Sequence, residues 1–134
     1  MRIVYETDSG VAVVIPNLAS GLSLEEIIAK DVPKLVRYEI VEDDAIPSDR
    51  TFRAAWKLQG KRVDTDLQTA KEIAHEKRRK ARDREFAPLD REVTIPSKAQ
   101  EAESKRQAIR DKYAELQTAI DSASSIEQLK ATLG

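Results

Sequence analysis

"WKLQGKRVDTDLQTAKEIAHEKRRKARDREFA", residues 56–87, changes its period midway. Trp56 and Leu58 alternate, Gln59-Gly60 offers a turn and Val63 lies beyond it, which predicts a small hairpin. From Asp64 the apolar residues fall at helical spacing: Leu67, Ala70, Ile73 with Ala74, then Ala81. Thr65 and Gln68 stand at capping-box spacing, and no glycine or proline follows until Pro88. A helix of about six turns is expected over residues 66–86. Its apolar stripe is thin, so its second half is expected to be solvated or covered by a partner. This switch divides the chain into a β-rich part, residues 1–63, and a helical part, residues 64–134.

Upstream, "RIVYE" and "GVAVVIP" are β-branched runs separated by Thr7-Asp8-Ser9-Gly10, and they read as a hairpin with Gly10 supplying the turn. Pro16 ends the second strand, because proline cannot donate to a ladder. "SLEEIIAKDVP" reads as a short helix, with Ser23 and Glu26 as a capping box and Pro33 as its stop. "VRYEIVE" alternates as a third strand. In "IPSDRTFRAAW", Ser48 or Asp49 caps a single helical turn that puts Phe52, Ala55 and Trp56 on one side.

Downstream, "PLDREVTIP" predicts a break, with an extended segment between Pro88 and Pro96. Ser97 and Gln100 are spaced as another capping box, and a second long helix is expected over about 98–122. Ala99, Arg106, Tyr113 and Ile120 recur every seven residues, and Ala102, Ile109, Leu116 and Ala123 follow three residues after each. That is an a/d seam, which packs either within the chain or between chains. Arg106 at a core-type position predicts a partly open seam. Ser125 and Gln128 cap a last helix over about 125–132. The expected fold is α+β, a small N-terminal antiparallel β unit followed by two long helices and a short one.

Composition narrows the function classes. Apolar residues make up 40% of the 134 residues, charged ones 35% and aromatic ones 4%, which predicts a modest core and much solvated surface. The net charge of −1 provides no global field for nucleic acid or an anionic membrane. Without cysteine there is no disulfide, thiolate metal site or Cys nucleophile. Glu6 and Asp8 interrupt the N-terminus where a signal peptide needs an apolar core, and the run "VAVVIP" is too short to span a bilayer. A cytoplasmic protein without a membrane role is expected.

Charge is unevenly spread. Residues 1–60 carry 7 basic and 10 acidic side chains, whereas residues 61–91 carry 10 and 7. The sharpest feature is "KRRKARDR", with Lys77, Arg78, Arg79, Lys80, Arg82 and Arg84. Such a helix neutralises phosphates or meets an acidic protein partner. Glu76, Asp83 and Glu85 lie beside it and no aromatics are interleaved, and a solvated face with Glu76–Lys80 pairing explains it as well. "EDD", residues 42–44, lacks the glycine and distal Glu of a calcium loop. His75 is the only histidine, so no two-histidine metal site exists, and it is expected at the surface. No serine sits in a GxSxG elbow and "GLSLEE" is no phosphate loop. No catalytic residue, metal or cofactor is expected.

"DVP", then Tyr38 to Val41, then "IPSDRTFRAAW" at 46–56 resemble the N-terminal part of the tail (fibre) assembly chaperones and tail-fibre-associated proteins of tailed phages and prophages. "TAKEIAHEKRRKAR", 69–82, looks like that family's basic helix, and "IDSASSIEQLKATLG" is similar to its ending. The resemblance is strongest over residues 29–82 and weakest over 84–107. It implies a role in building or completing a tail, in the host cytoplasm during assembly or in the virion tail, and it carries over no catalytic residue.

Together these readings predict a non-enzymatic protein that binds a tail fibre or other tail protein. The alternatives are a permanent tail component, trimeric if it oligomerises, and a nucleic-acid module on the basic helix. Phe52 and Trp56 are expected in the core, with an interface role as the second reading. The candidate partner surface is Arg50, Phe52, Arg53 and Trp56 together with the seam residues Arg106, Ile109, Tyr113, Leu116 and Ile120.

Overall fold

In the computed structural model, which describes residues 1–134, Ile3 and Val4 are both fully buried although they point to opposite faces of one strand. That strand, β1 (Arg2–Thr7), is the centre of a three-stranded antiparallel sheet, with β2 (Gly10–Val14) on one side and β3 (Tyr38–Val41) on the other. Both faces of the sheet are covered, which is why neighbouring residues of a single strand are apolar. α1 (Leu24–Asp31) covers one face, where Ile3, Ile27 and Val32 pack with Tyr5, Val14, Leu24 and Ile28 around them. A second hairpin, β4 (Trp56–Gln59) and β5 (Arg62–Thr65), covers the other, where Val4, Val11, Val41, Trp56 and Val63 cluster. Each such buried aliphatic side chain contributes about 1.5–3 kcal/mol.

The turns follow their residues. Gly10 takes φ +119°, while Asp8 and Ser9 keep negative φ. A Cβ at Gly10 would stand 2.9 Å from the Arg53 carbonyl oxygen, so glycine also permits close packing here. Gly60 takes φ +59° at the first position of the β4–β5 turn, the place a type II′ hairpin reserves for glycine. The capping box of α1 forms as its spacing predicts: Glu26 N–H donates to Ser23 Oγ, and Ser23 N–H to the Glu26 carboxylate.

The second half is helical: α2 (Leu67–Glu92), α3 (Ala99–Ser122) and α4 (Ile126–Thr132). Lys71 and His75 meet Asp121, Glu85 meets Lys112 and Asp90 meets Arg106. Positions rise along α2 as they fall along α3, so the two long helices pack antiparallel. Ile120, Ala123 and Leu129 are buried where α3 gives way to α4. Ser125 caps α4 by accepting from Gln128 N–H, while Gln128 Oε1 accepts from Ser124 N–H and Oγ–H. The chain divides into two compact units, Met1–Thr69 and Ala70–Gly134. The first turn of α2 belongs with the β4–β5 hairpin because Asp66 N–H donates to Ala55 O and the Asp66 carboxylate pairs with Lys57.

Three local expectations are corrected. α2 does not stop at Pro88 but continues to Glu92, and residues 93–98 are turns, not an extended segment. Arg84, whose carbonyl loses its helical donor, is an exposed residue, and so is Pro88. The Glu85–Lys112 and Asp90–Arg106 pairs and buried Leu89 hold the helix on both sides of it. Asp66, not Thr65, caps α2, accepting from Thr69 N–H at 3.0 Å and from its hydroxyl at 2.6 Å. α3 begins without a side-chain cap, because Lys98 occupies the cap position and Ser97 lies outside it.

Candidate functional site

Residues 46–56 form a tight junction before β4. Asp49 accepts from the N–H and hydroxyl of Thr51, which turns the chain, and a single 3₁₀ turn follows at Arg53–Ala55. This turn lies against Gly10 at the start of β2. Phe52, Ala55 and Trp56 are only 2–4% exposed. Phe52 and Trp56 are therefore core side chains of the first unit, and the reading of Trp56 as an exposed anchor does not fit its burial. Arg50 and Arg53 are exposed, with the Arg53 guanidinium 5.7 Å from the Trp56 ring centre. Only the arginines of this cluster meet solvent.

The a/d seam packs within the second unit. Ala102, Tyr113, Ile120 and Ala123 are buried, and Arg106, Ile109 and Leu116 are half-buried. Arg106 escapes the cost of a buried charge. Its Nε lies 3.3 Å from Asp90 at an angle that makes an ion pair but no hydrogen bond, and its other nitrogen donates to Glu103 at 3.0 Å. The Tyr113 hydroxyl and Lys112 hold the Glu85 carboxyl below its usual range. Burial, and then Glu85, raise Tyr113.

The basic run is not one surface. Arg78 is 8% exposed and turns inward, where its Nε–H donates to His75 Nδ1 at 3.4 Å. Burial, reinforced by Arg79 and Arg82, pushes its pKa down, and Asp121 opposes this. Lys80 pairs with Glu76, and Arg82 lies over the Phe86 ring at 5.2 Å. Lys77, Arg79 and Arg84 are exposed. His75 is not a surface residue, as its side chain is 15% exposed and its Nε2 lies 2.7 Å from Asp121 Oδ1. Arg82, Asp83, Phe86, Ala87, Asp90, Arg106 and Arg110 line an open groove of about 380 Å³.

Alternation alone did not single out the apolar side chains along β3. Tyr38 and Ile40 are 42% and 38% exposed on the sheet face that α1 covers elsewhere. Leu35 is fully exposed, at φ +67°, in the turn closed by Val36 N–H to Pro33 O. A left-handed leucine costs about 1–2 kcal/mol. Ile15, Leu18 and Leu22 are also exposed, in the segment after β2. Tyr38 and Ile40 were hidden because strand pattern shows alternation but not which strand ends a sheet.

No group of three or more His, Asp or Glu side chains is arranged to hold a metal ion, and no helix is long and apolar enough to cross a membrane. Comparison with protein-family models, curated proteins and solved structures found no match.

Proposed function

We propose that this chain is a non-enzymatic protein of tailed-phage assembly that binds a tail-fibre or receptor-binding protein as chaperone or adaptor. The tail assignment comes from the resemblance over residues 29–82. The observation that supports binding to protein is the group of exposed apolar side chains at and before one edge strand of the first unit, Leu35, Tyr38 and Ile40. Apolar surface that a small domain leaves open, at the cost of a strained leucine, fits a protein contact better than a solvated face. The seam residues Tyr113 and Ile120 act as helix-packing residues in this reading, and the contact moves to the first unit.

The test is light scattering of the purified chain alone and with the tail-fibre protein of the same phage. A defined complex, weakened by Leu35→Asp, is expected. A mixture that elutes as two separate species overturns the reading. Assay of purified particles then separates a chaperone, absent from them, from a permanent tail component, present at fibre stoichiometry.

A further inference from the structure

The two edges of the three-stranded sheet differ. β2 is approached by the 3₁₀ turn at Arg53–Ala55, which comes within 2.9 Å of where a Cβ on Gly10 would stand. β3 is hydrogen-bonded only to β1, and no other backbone bond reaches it. Natural edge strands are blunted by shortness, charged side chains, proline or a bulge. β3 is short and carries Glu39 next to Arg37 in the segment Val36-Arg37-Tyr38-Glu39-Ile40, so a strand that pairs with it has to match those charges.

This segment also complements itself. Val36, Tyr38 and Ile40 alternate with Arg37 and Glu39, so the apolar side chains share one face and the charges the other. Arg37 and Glu39 already meet at 3.3 Å along the strand. When two copies run antiparallel about Tyr38, Arg37 of each stands opposite Glu39 of the other. Val36 stands opposite Ile40, and Tyr38 opposite Tyr38. Centring the pair on Arg37 or on Glu39 instead sets like charges face to face, which is destabilising. Centring it on Ile40 puts Glu39 opposite Val41. One register alone satisfies both the charges and the apolar row.

We propose that this edge is a homodimer interface. A second copy of the chain pairs β3 with β3 about a two-fold axis, making one continuous sheet in the order β2-β1-β3-β3-β1-β2. The charge complementarity selects the second copy over an unrelated strand, because an isologous contact requires a self-complementary surface. The pairing satisfies the free backbone groups of β3 and sets Tyr38 and Ile40 beside apolar side chains of the second copy, while the sheet face they lie on stays open. With a short edge strand the contact is small for a stable dimer, so association depends on concentration. This inference does not rest on the tail-assembly reading, since it concerns the chain alone.

Sedimentation of the full chain between about 10 µM and 1 mM tests it, with dimer formation expected within that range. Arg37→Glu and Glu39→Arg singly set like charges opposite each other twice, and each is expected to weaken the dimer by about tenfold or more. The double variant Arg37→Glu/Glu39→Arg restores both cross-strand pairs, and the dimer should return to within about threefold of the parent. Arg37 is largely exposed, and circular dichroism checks that each variant folds. A chain that stays monomeric at the top concentration overturns the proposal. So does an oligomer that neither single reversal weakens, because its contact then lies elsewhere.

Discussion

His75 of α2 donates from Nε2 to Asp121 of α3 across 2.7 Å, while its Nδ1 accepts from buried Arg78. That pattern sets the tautomer of the neutral ring, with the proton on Nε2. It also gives Arg78 a polar neighbour inside the helix pair, with the Asp121 charge opposing its desolvation. Replacing a buried charge by an apolar side chain of similar length is often neutral or stabilising, whereas reversing it is not. Arg78→Met is expected to keep or raise the urea midpoint. Arg78→Glu should lower stability by about 3 kcal/mol, since it brings a second carboxylate towards Asp121. A loss above about 2 kcal/mol in Arg78→Met would show that the guanidinium itself holds the helices.

Pro88 interrupts the hydrogen-bond ladder of α2 without ending the helix. Pro88→Ala restores a donor for the Arg84 carbonyl and removes the ring clash, so stability should rise by about 1–3 kcal/mol. Thermal unfolding followed at 222 nm, a wavelength that reports helix content, measures the shift. An unchanged or lower midpoint contradicts the explanation offered for the helix passing through this proline.

Asp66 is held below its ordinary 3.8 by the hydroxyl and N–H of Thr69, and then by Lys57. Its folded pKa is depressed, so its contribution is complete above the unfolded value of about 4 and is lost as pH falls through the lowered folded value. Asp66→Asn keeps the cap acceptor without the charge. The stability gap between parent and Asp66→Asn should be constant near neutrality and should shrink below about pH 4. Asp66→Ala loses the cap and should cost about 1 kcal/mol at pH 7. Urea titrations at several pH values read both effects.

Trp56 is 4% exposed, and its indole N–H has no hydrogen-bond partner. The ring therefore stabilises through burial and packing, while its one polar atom contributes no bond. Trp56→Ala should cost about 3–5 kcal/mol and Trp56→Phe less than about 2 kcal/mol. Guanidinium unfolding followed by circular dichroism compares the two. Equal losses would mean that the indole nitrogen has an acceptor after all.

Local features were legible in the sequence. Gly10 and Gly60 marked their turns, Ser23 with Glu26 and Ser125 with Gln128 marked helix starts, and the seven-residue recurrence from Ala99 to Ala123 marked the inner face of α3. These follow from interactions within about one helical turn or one hairpin, which a short window of residues contains. They were enough for the α+β order of elements. Tertiary structure alone decided that α2 runs through Pro88, that Arg78 turns inward to His75, that the seam meets α2, and that β1 takes the centre of the sheet with β3 at an edge. Each of those outcomes balances a local penalty against burial or pairing with residues far along the chain. The local pattern records the penalty, but the compensating contact exists only once the distant segments have come together.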